Sequence, residues 1–407
     1  MGNYRPPLLG VVGKTNVGKT TFFSAATLAT AEISNRPFTT IKPNLGVAYV
    51  RHKCPHVEFG MSGCNPRAGF CYNGVRFVPV ELIDVAGLIP GAHKGRGLGN
   101  KFMDDVRKAQ AFLLVVDASG STSEEGVPLP PGSRDPVDEV KFVLEEIDRW
   151  IAGILMHDWK RFATKVDSTR LNVAEAMCER LSGLNIKKSH VNAALEASGL
   201  EDKKPSEWSS DDIYNFAKEL RRASKPFIIV ANKADLPAAR EGIRKLKSAF
   251  PDIPIVPVSS QAELALKKAQ KAGLIDYIPG SDSFKIVNRS ALTEVQAKAL
   301  EYIRVNVLEE YGSTGVQQAL ETLLYNVLGY VAVYPVENVE RLCDTKGNVL
   351  PDVFLVPKTA TVKDVASLVH SELAEKFVAA VDVRRKQRLG ESAQVYDGIV
   401  VKVLASR

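Results

Sequence analysis

Residues 8–21 read Leu8-Leu9-Gly10-Val11-Val12-Gly13-Lys14-Thr15-Asn16-Val17-Gly18-Lys19-Thr20-Thr21, and this stretch decides the fold. An apolar, β-branched run enters a glycine loop, and the loop opens into Phe22-Phe23-Ser24-Ala25-Ala26, which can start a helix. A strand, a GxxxxGKT loop and a helix in that order form a phosphate-binding P-loop. Gly13 and Gly18 carry no Cβ, so the backbone can turn sharply and approach a phosphate. Successive N–H groups over Asn16, Val17, Gly18, Lys19, Thr20 and Thr21, with the helix N-terminus behind them, then face a polyanion. Lys19 is placed to bridge β- and γ-phosphates, and the Thr20 hydroxyl to ligate Mg²⁺. A glycine-rich turn with no ligand is the competing reading, and the strand-before, helix-after context argues against it.

Three downstream elements extend this reading. Asn35-Arg36-Pro37-Phe38-Thr39-Thr40-Ile41-Lys42-Pro43-Asn44 has the composition of a loop, and a threonine there suits a switch that completes a Mg²⁺ shell. Phe77-Val78-Pro79-Val80-Glu81-Leu82-Ile83-Asp84-Val85-Ala86-Gly87 is a strand ending in DxxG, with Asp84 expected to hold Mg²⁺ and the Gly87 N–H to sense the γ-phosphate. Four glycines in residues 88–99 predict a second, flexible switch. Pro226-Phe227-Ile228-Ile229-Val230-Ala231-Asn232-Lys233-Ala234-Asp235 ends in NKxD. Asp235 can accept from guanine N1 and N2, Asn232 can meet the major-groove edge of the base, and the Lys233 stem can lie along the ring. Ile255-Val256-Pro257-Val258 then leads into Ser259 and Ser260, placed to close over the base. Loops at the carboxyl ends of successive strands predict an α/β, doubly wound, mostly parallel P-loop NTPase sheet.

Length and composition set the frame. At 407 residues, two or three domains are expected. Hydrophobic content of 45% and charged content of 25% are ordinary for a globular chain. No apolar stretch approaches the ~18 residues of a membrane span, and Met1 to Pro7 contain no signal core, so a cytoplasmic protein is expected. Five cysteines do not suggest a disulfide scaffold. A net charge of +6 permits contact with nucleic acid without demanding it.

The boundaries follow from composition shifts. We expect a GTP-binding domain in two parts, 1–134 and 223–282, interrupted by a helical subdomain at 135–222. That subdomain is either a solvated arm or a surface for a partner. A helical connector over 283–330 and a small α+β domain over 331–407 complete the chain, with a helix predicted from Thr361 to Val378. Arg384-Arg385-Lys386-Gln387-Arg388 reads as either an RNA-facing patch or a solvated loop.

On these residues the chain resembles the Obg-related GTPases of the translation-factor class. Gly13 to Thr20, Phe38 to Asn44, Asp84-Val85-Ala86-Gly87-Leu88 and Gly95-Arg96-Gly97-Leu98-Gly99-Asn100-Lys101-Phe102 are similar to that family's blocks. The insert and the C-terminal segment resemble its YchF-type branch. Asp344 to Asp352 with Thr361 to Ala366 are similar to a TGS domain, which implies a ubiquitin-like fold and contact with RNA or the ribosome. Many YchF-type members lack a standard NKxD and prefer ATP. Here Asn232 to Asp235 are intact, so GTP is expected. The same branch often replaces the first switch threonine and keeps the second, which favours Thr40 as the Mg²⁺ ligand. Leu88 stands where Ras-like enzymes carry a water-orienting glutamine, so hydrolysis is expected to be slow without a partner or K⁺, for which Asn16 is a ligand candidate.

Two alternatives stay open. A kinase-like metabolic enzyme would need an acid or base near the phosphates, for which His93 is the nearest candidate. A binding module whose nucleotide only stabilises the fold is the other. Separately, Cys54, His56, Cys64 and Cys71 fall within a Gly/Pro/Asn-rich insert and offer a zinc ligand set, or simply four loop side chains.

Overall fold

A computed structural model of the chain describes residues 4–28, 44–94 and 99–406. Strand β1 (Leu8–Val12) lies inside a seven-stranded sheet, and α1 (Lys19–Thr27) follows the loop at its carboxyl end. The other strands are β2 (Leu45–Lys53), β3 (Phe70–Tyr72), β4 (Val75–Asp84), β5 (Ala111–Asp117), β6 (Phe227–Asn232) and β7 (Ile255–Pro257). They run in the order β2-β4-β1-β5-β6-β7, with β3 on β4. From β4 to β7 the pairings are parallel, whereas β2 and β3 are antiparallel to β4.

The apolar runs of these strands are nearly continuous because both faces are covered. Leu9, Val11, Leu113, Val115, Ile228 and Val230 bury on one face, and Val12, Phe112, Leu114, Val116, Ile229 and Ala231 on the other. The second face carries α3 (Gly99–Lys108) and α4 (Pro136–Met156), the short α2 (Pro55–Glu58) having already followed β2. Helices α5 (Trp159–Thr169), α6 (Val173–Arg180), α7 (Lys188–Ser198) and α8 (Ser210–Ser224) come next, and α9 (Ala239–Ala249) follows β6. Val140, Val143 and Ile147 of α4 share one core with Phe112 and Leu114, and so do Phe216 and Leu220 of α8. The solvated-arm reading of this stretch therefore fails. Its first helix lies on the sheet, and a buried Asp148–Arg221 ion pair ties α4 to α8.

After α10 (Ser260–Lys271) a hairpin, β8 (Ile275–Tyr277) and β9 (Phe284–Ile286), precedes the connector. There α11 (Glu294–Ile303) continues through a π-helical turn into α12 (Glu309–Tyr311), and α13 (Val316–Glu321) passes into a second π turn, Thr322–Val327. The C-terminal sheet comprises β10 (Tyr330–Pro335), β11 (Phe354–Pro357), β12 (Phe377–Asp382), β13 (Gln387–Leu389) and β14 (Ile399–Ala405). Its order is β11-β10-β14-β12-β13, with β10 and β14 parallel.

The helix expected from Thr361 to Val378 is shorter. Thr361 caps α14 (Val362–Val369), its Oγ1 accepting from Asp364 N at 3.2 Å while Asp364 accepts from Thr361 N at 2.8 Å. His370 is extended, α15 (Ser371–Glu375) adds one turn, and Phe377-Val378-Ala379-Ala380-Val381 joins the sheet between β13 and β14. Strand pairing on both sides overrides a weak helical pattern here. The basic run 384–388 spans the turn of the β12–β13 hairpin and the first two residues of β13. Arg384 pairs with Glu58 at 2.9 Å and Arg385 lies 3.9 Å over the Tyr396 ring, while Lys386 and Arg388 are exposed.

The C-terminal sheet docks on the first face of the main sheet. Ala332, Tyr334, Leu355 and Val400 share a core with Leu9, Val80 and the connector residues Leu320 and Leu324. Arg51 grips Glu321 in a fork, with Nε to Oε1 at 2.6 Å and Nη2 to Oε2 at 3.0 Å. Among the described residues no helix is long and apolar enough to cross a membrane.

Candidate nucleotide-binding site

The carboxyl ends of β1, β4, β5 and β6 bring Gly13, Asp84, Asp117 and Asn232 to one edge of the sheet. At the phosphate end the chain uses backbone. Gly13 (φ 150°) and Gly18 (φ 97°) hold left-handed or strained conformations open to glycine, and Gly18 caps α1. Asn16, at φ 63°, donates from Nδ2 to Gly126 O at 2.8 Å. The loop after β5 thereby covers the outer side of the P-loop, and Lys14 fixes it further through Thr122 O at 3.2 Å and the buried Glu139 at 3.4 Å.

Lys19 is 7% exposed and its Nζ donates to Lys14 O at 2.6 Å. Burial draws its ammonium down to about 8, against the pull of Asp84 and Glu139. Thr20 Oγ1 donates to Asp84 Oδ2 at 2.9 Å, so a hydroxyl and a carboxylate face each other. These are the hard oxygen donors Mg²⁺ takes. A Cβ on Gly87 would lie 2.7 Å from Thr15 Oγ1 and 3.2 Å from Lys19 Nζ, so the DxxG backbone passes directly against the loop. Thr40, expected as a further Mg²⁺ ligand, and Gly95 to Leu98 of the second switch lie outside the described residues.

At the base end side chains take over. Asn232 is 3% exposed. Its Nδ2 donates to Val17 O at 2.9 Å, and its Oδ1 accepts from Ser260 N at 3.2 Å and Ser260 Oγ at 2.8 Å. It ties the P-loop to the loop after β7, which leaves at most the second Nδ2 hydrogen for a base. The contact also explains Gly18, where a Cβ would lie 2.2 Å from Asn232 Nδ2. Lys233, at φ 61°, donates to Asp117 Oδ2 at 2.7 Å and to Thr122 Oγ1 at 3.1 Å, which fixes its stem along one side of the site. Asp235 Oδ1 accepts from Ser259 Oγ at 2.7 Å, and Tyr302 OH from α11 donates to Asp235 O at 2.8 Å. A carboxylate accepts at both oxygens, so this arrangement orients Asp235 with capacity to spare.

Sequence reasoning gave Asp117 no role. Burial pushes its carboxyl up, but hydrogen bonds from Lys233, Ser119 and Thr122 outweigh that and leave it below its ordinary value. The available signal was an aspartate closing a buried strand, followed at once by Ala118-Ser119-Gly120-Ser121-Thr122-Ser123.

Family models match three parts of the chain. "50S ribosome-binding GTPase" matches residues 8–152, "Obg-like GTPase YGR210-like, G4 motif-containing domain" matches 230–338, and "TGS domain" matches 346–405. An uncharacterized GTP-binding protein of Methanocaldococcus jannaschii is 46% identical over 399 residues, covering 98% of this chain and 99% of that one. The chain belongs to the Obg-related GTP-binding proteins. An uncharacterized GTP-binding protein of Schizosaccharomyces pombe is 34% identical over 402 residues, covering 97% of this chain and 96% of that one. A crystal structure of a GTP-binding protein from Pyrococcus horikoshii superposes with TM-score 0.77 at 37% identity, over 98% of this chain and 99% of that one.

In this Obg-related GTPase the second switch is tied to α4. Glu146 accepts from Gly91 N at 3.0 Å, His93 N at 2.9 Å and His93 Nδ1 at 2.8 Å. Burial raises the Glu146 carboxyl, and the bonds from His93 and Gly91 outweigh it, leaving the group below its usual value. His93 is thus anchored to α4 through its backbone N and Nδ1, contacts that orient the ring. Leu88 is fully buried in the core beneath the switch, and only its backbone meets the loop, N to Gly13 O at 3.2 Å. The remaining expected group sits at the opposite end of β2, where Cys54, His56, Cys64 and Cys71 place their ligand atoms within 4.8 Å of one another.

Proposed function

We propose that this GTPase is a Mg²⁺–GTP switch with slow intrinsic hydrolysis that acts on the ribosome or RNA. The observation that carries the reading is the convergence of Lys19, Thr20, Asp84, Asn232 and Asp235 on one sheet edge. In it Lys19 and the loop amides hold the phosphates, Gly87 N–H senses the γ-phosphate, and Asp235, oriented by Ser259, selects guanine. Thr20, Asp84 and Thr40 hold Mg²⁺, which neutralises charge on the β- and γ-phosphates. GTP is preferred over ATP because adenine presents no donor pair to Asp235 and would leave it unpaired.

Slow hydrolysis follows from Leu88. Its side chain is committed to the core and carries no hydrogen-bonding group, so no side chain there orients water. Acceleration then comes from a partner, or from K⁺ at the phosphates with Asn16 as a ligand. The ribosome is the partner suggested by the matching family's description and by the Bacillus subtilis relative called a ribosome-binding ATPase, 37% identical over 140 residues. The TGS domain and the α5–α8 surface are the contact regions, and the cytoplasm is the compartment that goes with this reading.

Competition against a fluorescent GTP analogue tests specificity. GTP displaces it and ATP does not, and equal displacement refutes the guanine reading. Phosphate release in Na⁺ buffer, in K⁺ buffer and with ribosomes tests the switch. The expected order is slow, faster and fastest, and rapid turnover in Na⁺ alone contradicts the role given to Leu88.

A further inference from the structure

The stretch from 54 to 71 has almost no core of its own, since only Cys54, Pro55 and Gly69 are buried within it. Yet it carries an interface. Asn65 N donates to Val349 O at 2.8 Å, Arg67 N to Pro351 O at 2.9 Å, and the Arg67 guanidinium pairs with Asp344 and with Asp352, the latter at 2.7 Å. A lobe this small needs a staple to hold such partners in place.

Four side chains converge inside it from separate local settings. Cys54 follows β2 and begins α2, His56 is in the first turn of α2, Cys64 lies in the loop, and Cys71 is on β3. Cys54 Sγ lies 3.7 Å from Cys64 Sγ, and Cys71 Sγ lies 3.8 Å from His56 Nδ1. Tetrahedral zinc with Zn–S of about 2.3 Å and Zn–N of about 2.1 Å spaces its ligand atoms by about 3.5–3.8 Å. The sulfurs stand well beyond the ~2.05 Å of a disulfide. Charge agrees with the distances. Zinc with three thiolates and a neutral imidazole carries one net negative charge. Arg76, fully buried on β4, points Nη1 at Cys64 Sγ at 3.6 Å and Nη2 at Pro351 O at 3.0 Å. Among the described residues no carboxylate forms a close ion pair with it, and the charge its guanidinium touches directly is that of the thiolate cluster, with Asp352 acting at longer range. A cation donating to a ligand sulfur is the outer-layer partner such sites use.

We propose that Cys54, His56, Cys64 and Cys71 bind one structural zinc ion, which staples the 54–71 lobe and, through Arg67 and Arg76, seats the C-terminal domain on the GTPase sheet. No coordination position remains for a substrate, as in closed structural sites. Binding releases the thiol protons to solvent and changes no oxidation state.

Metal analysis of the full chain, expressed with zinc and dialysed, should find one zinc per chain. Denatured, metal-free protein should titrate as five thiols, the number in the sequence. Stripped protein reloaded with cobalt should show the visible bands of tetrahedral thiolate coordination. Cys64→Ser should keep under about a tenth of the zinc, whereas Cys178→Ser and Cys343→Ser, outside the cluster, should keep all of it. Folded wild-type protein without zinc and without a cobalt spectrum overturns the proposal, as does a titration of only three thiols. Should Cys64→Ser fail to fold, wild-type stoichiometry and the cobalt spectrum decide alone.

Discussion

The two ends of the nucleotide edge are built from different materials. The phosphate end is mostly backbone, with glycines at 13, 18 and 87 and a helix N-terminus drawn from a short run of sequence. The base end is mostly side chains that meet across long separations, Lys233 with Asp117 at 116 positions and Asn232 with Val17 at 215. A backbone cradle tolerates any nucleoside triphosphate, because every such ligand carries the same polyanion. Discrimination has to be built where polar side chains would be left unpaired by the wrong base. Asn232 joins the two ends, so base recognition and phosphate grip share one strut.

The largest expected separation of the two ends comes from Asp235→Asn. The amide presents donors where guanine N1 and N2 also donate, and GTP affinity should fall by roughly 100-fold or more, as expected for an unpaired buried polar group. Calorimetry with GTP and with xanthosine triphosphate checks it, since a carbonyl at position 2 should recover affinity. Asp117→Asn should weaken GTP binding about tenfold through the freed Lys233 ammonium, which is only partly exposed and so only partly resolvated. Its readout is GTP affinity beside thermal unfolding, and unchanged affinity would remove Asp117 from the base end.

The pH response belongs to the phosphate end alone. Free Lys19 has its pKa drawn down to about 8, and bound phosphates favour the ammonium. Raising pH above about 8 therefore costs binding a proton it must take up, and affinity should fall toward tenfold per unit. Proton uptake measured at pH 8.5 in buffers of different ionisation enthalpy checks the sign. Smallest is Ser259→Ala, which frees one carboxylate oxygen of Asp235. The GTP-over-ATP preference should narrow about fivefold, for a bond of about 1 kcal/mol.

The same division explains what the sequence disclosed. The P-loop, DxxG and NKxD runs are local, and each sits where its spacing indicates. The Asp117–Lys233 pair, the Asn16–Gly126 bond and the docking of α4 on the sheet depend on contacts between distant segments, which periodicity does not encode. Asn232 was legible as a nucleotide residue, yet its grip on Val17 and Ser260 was not. At the C-terminal end the Thr361 cap was readable because a capping box is local, while β12 was hidden because its partners lie on both sides in the sheet.

The central claim is that one sheet edge grips a guanosine triphosphate through the backbone cradle and Lys19. Calorimetric titration of GTP into Mg²⁺-replete wild-type protein and into folded Lys19→Ala tests it most directly. One-to-one uptake by the wild type, weakened by at least about 100-fold in the variant, is the predicted result. No heat of uptake by the wild type, or equal affinity in the variant, would contradict it.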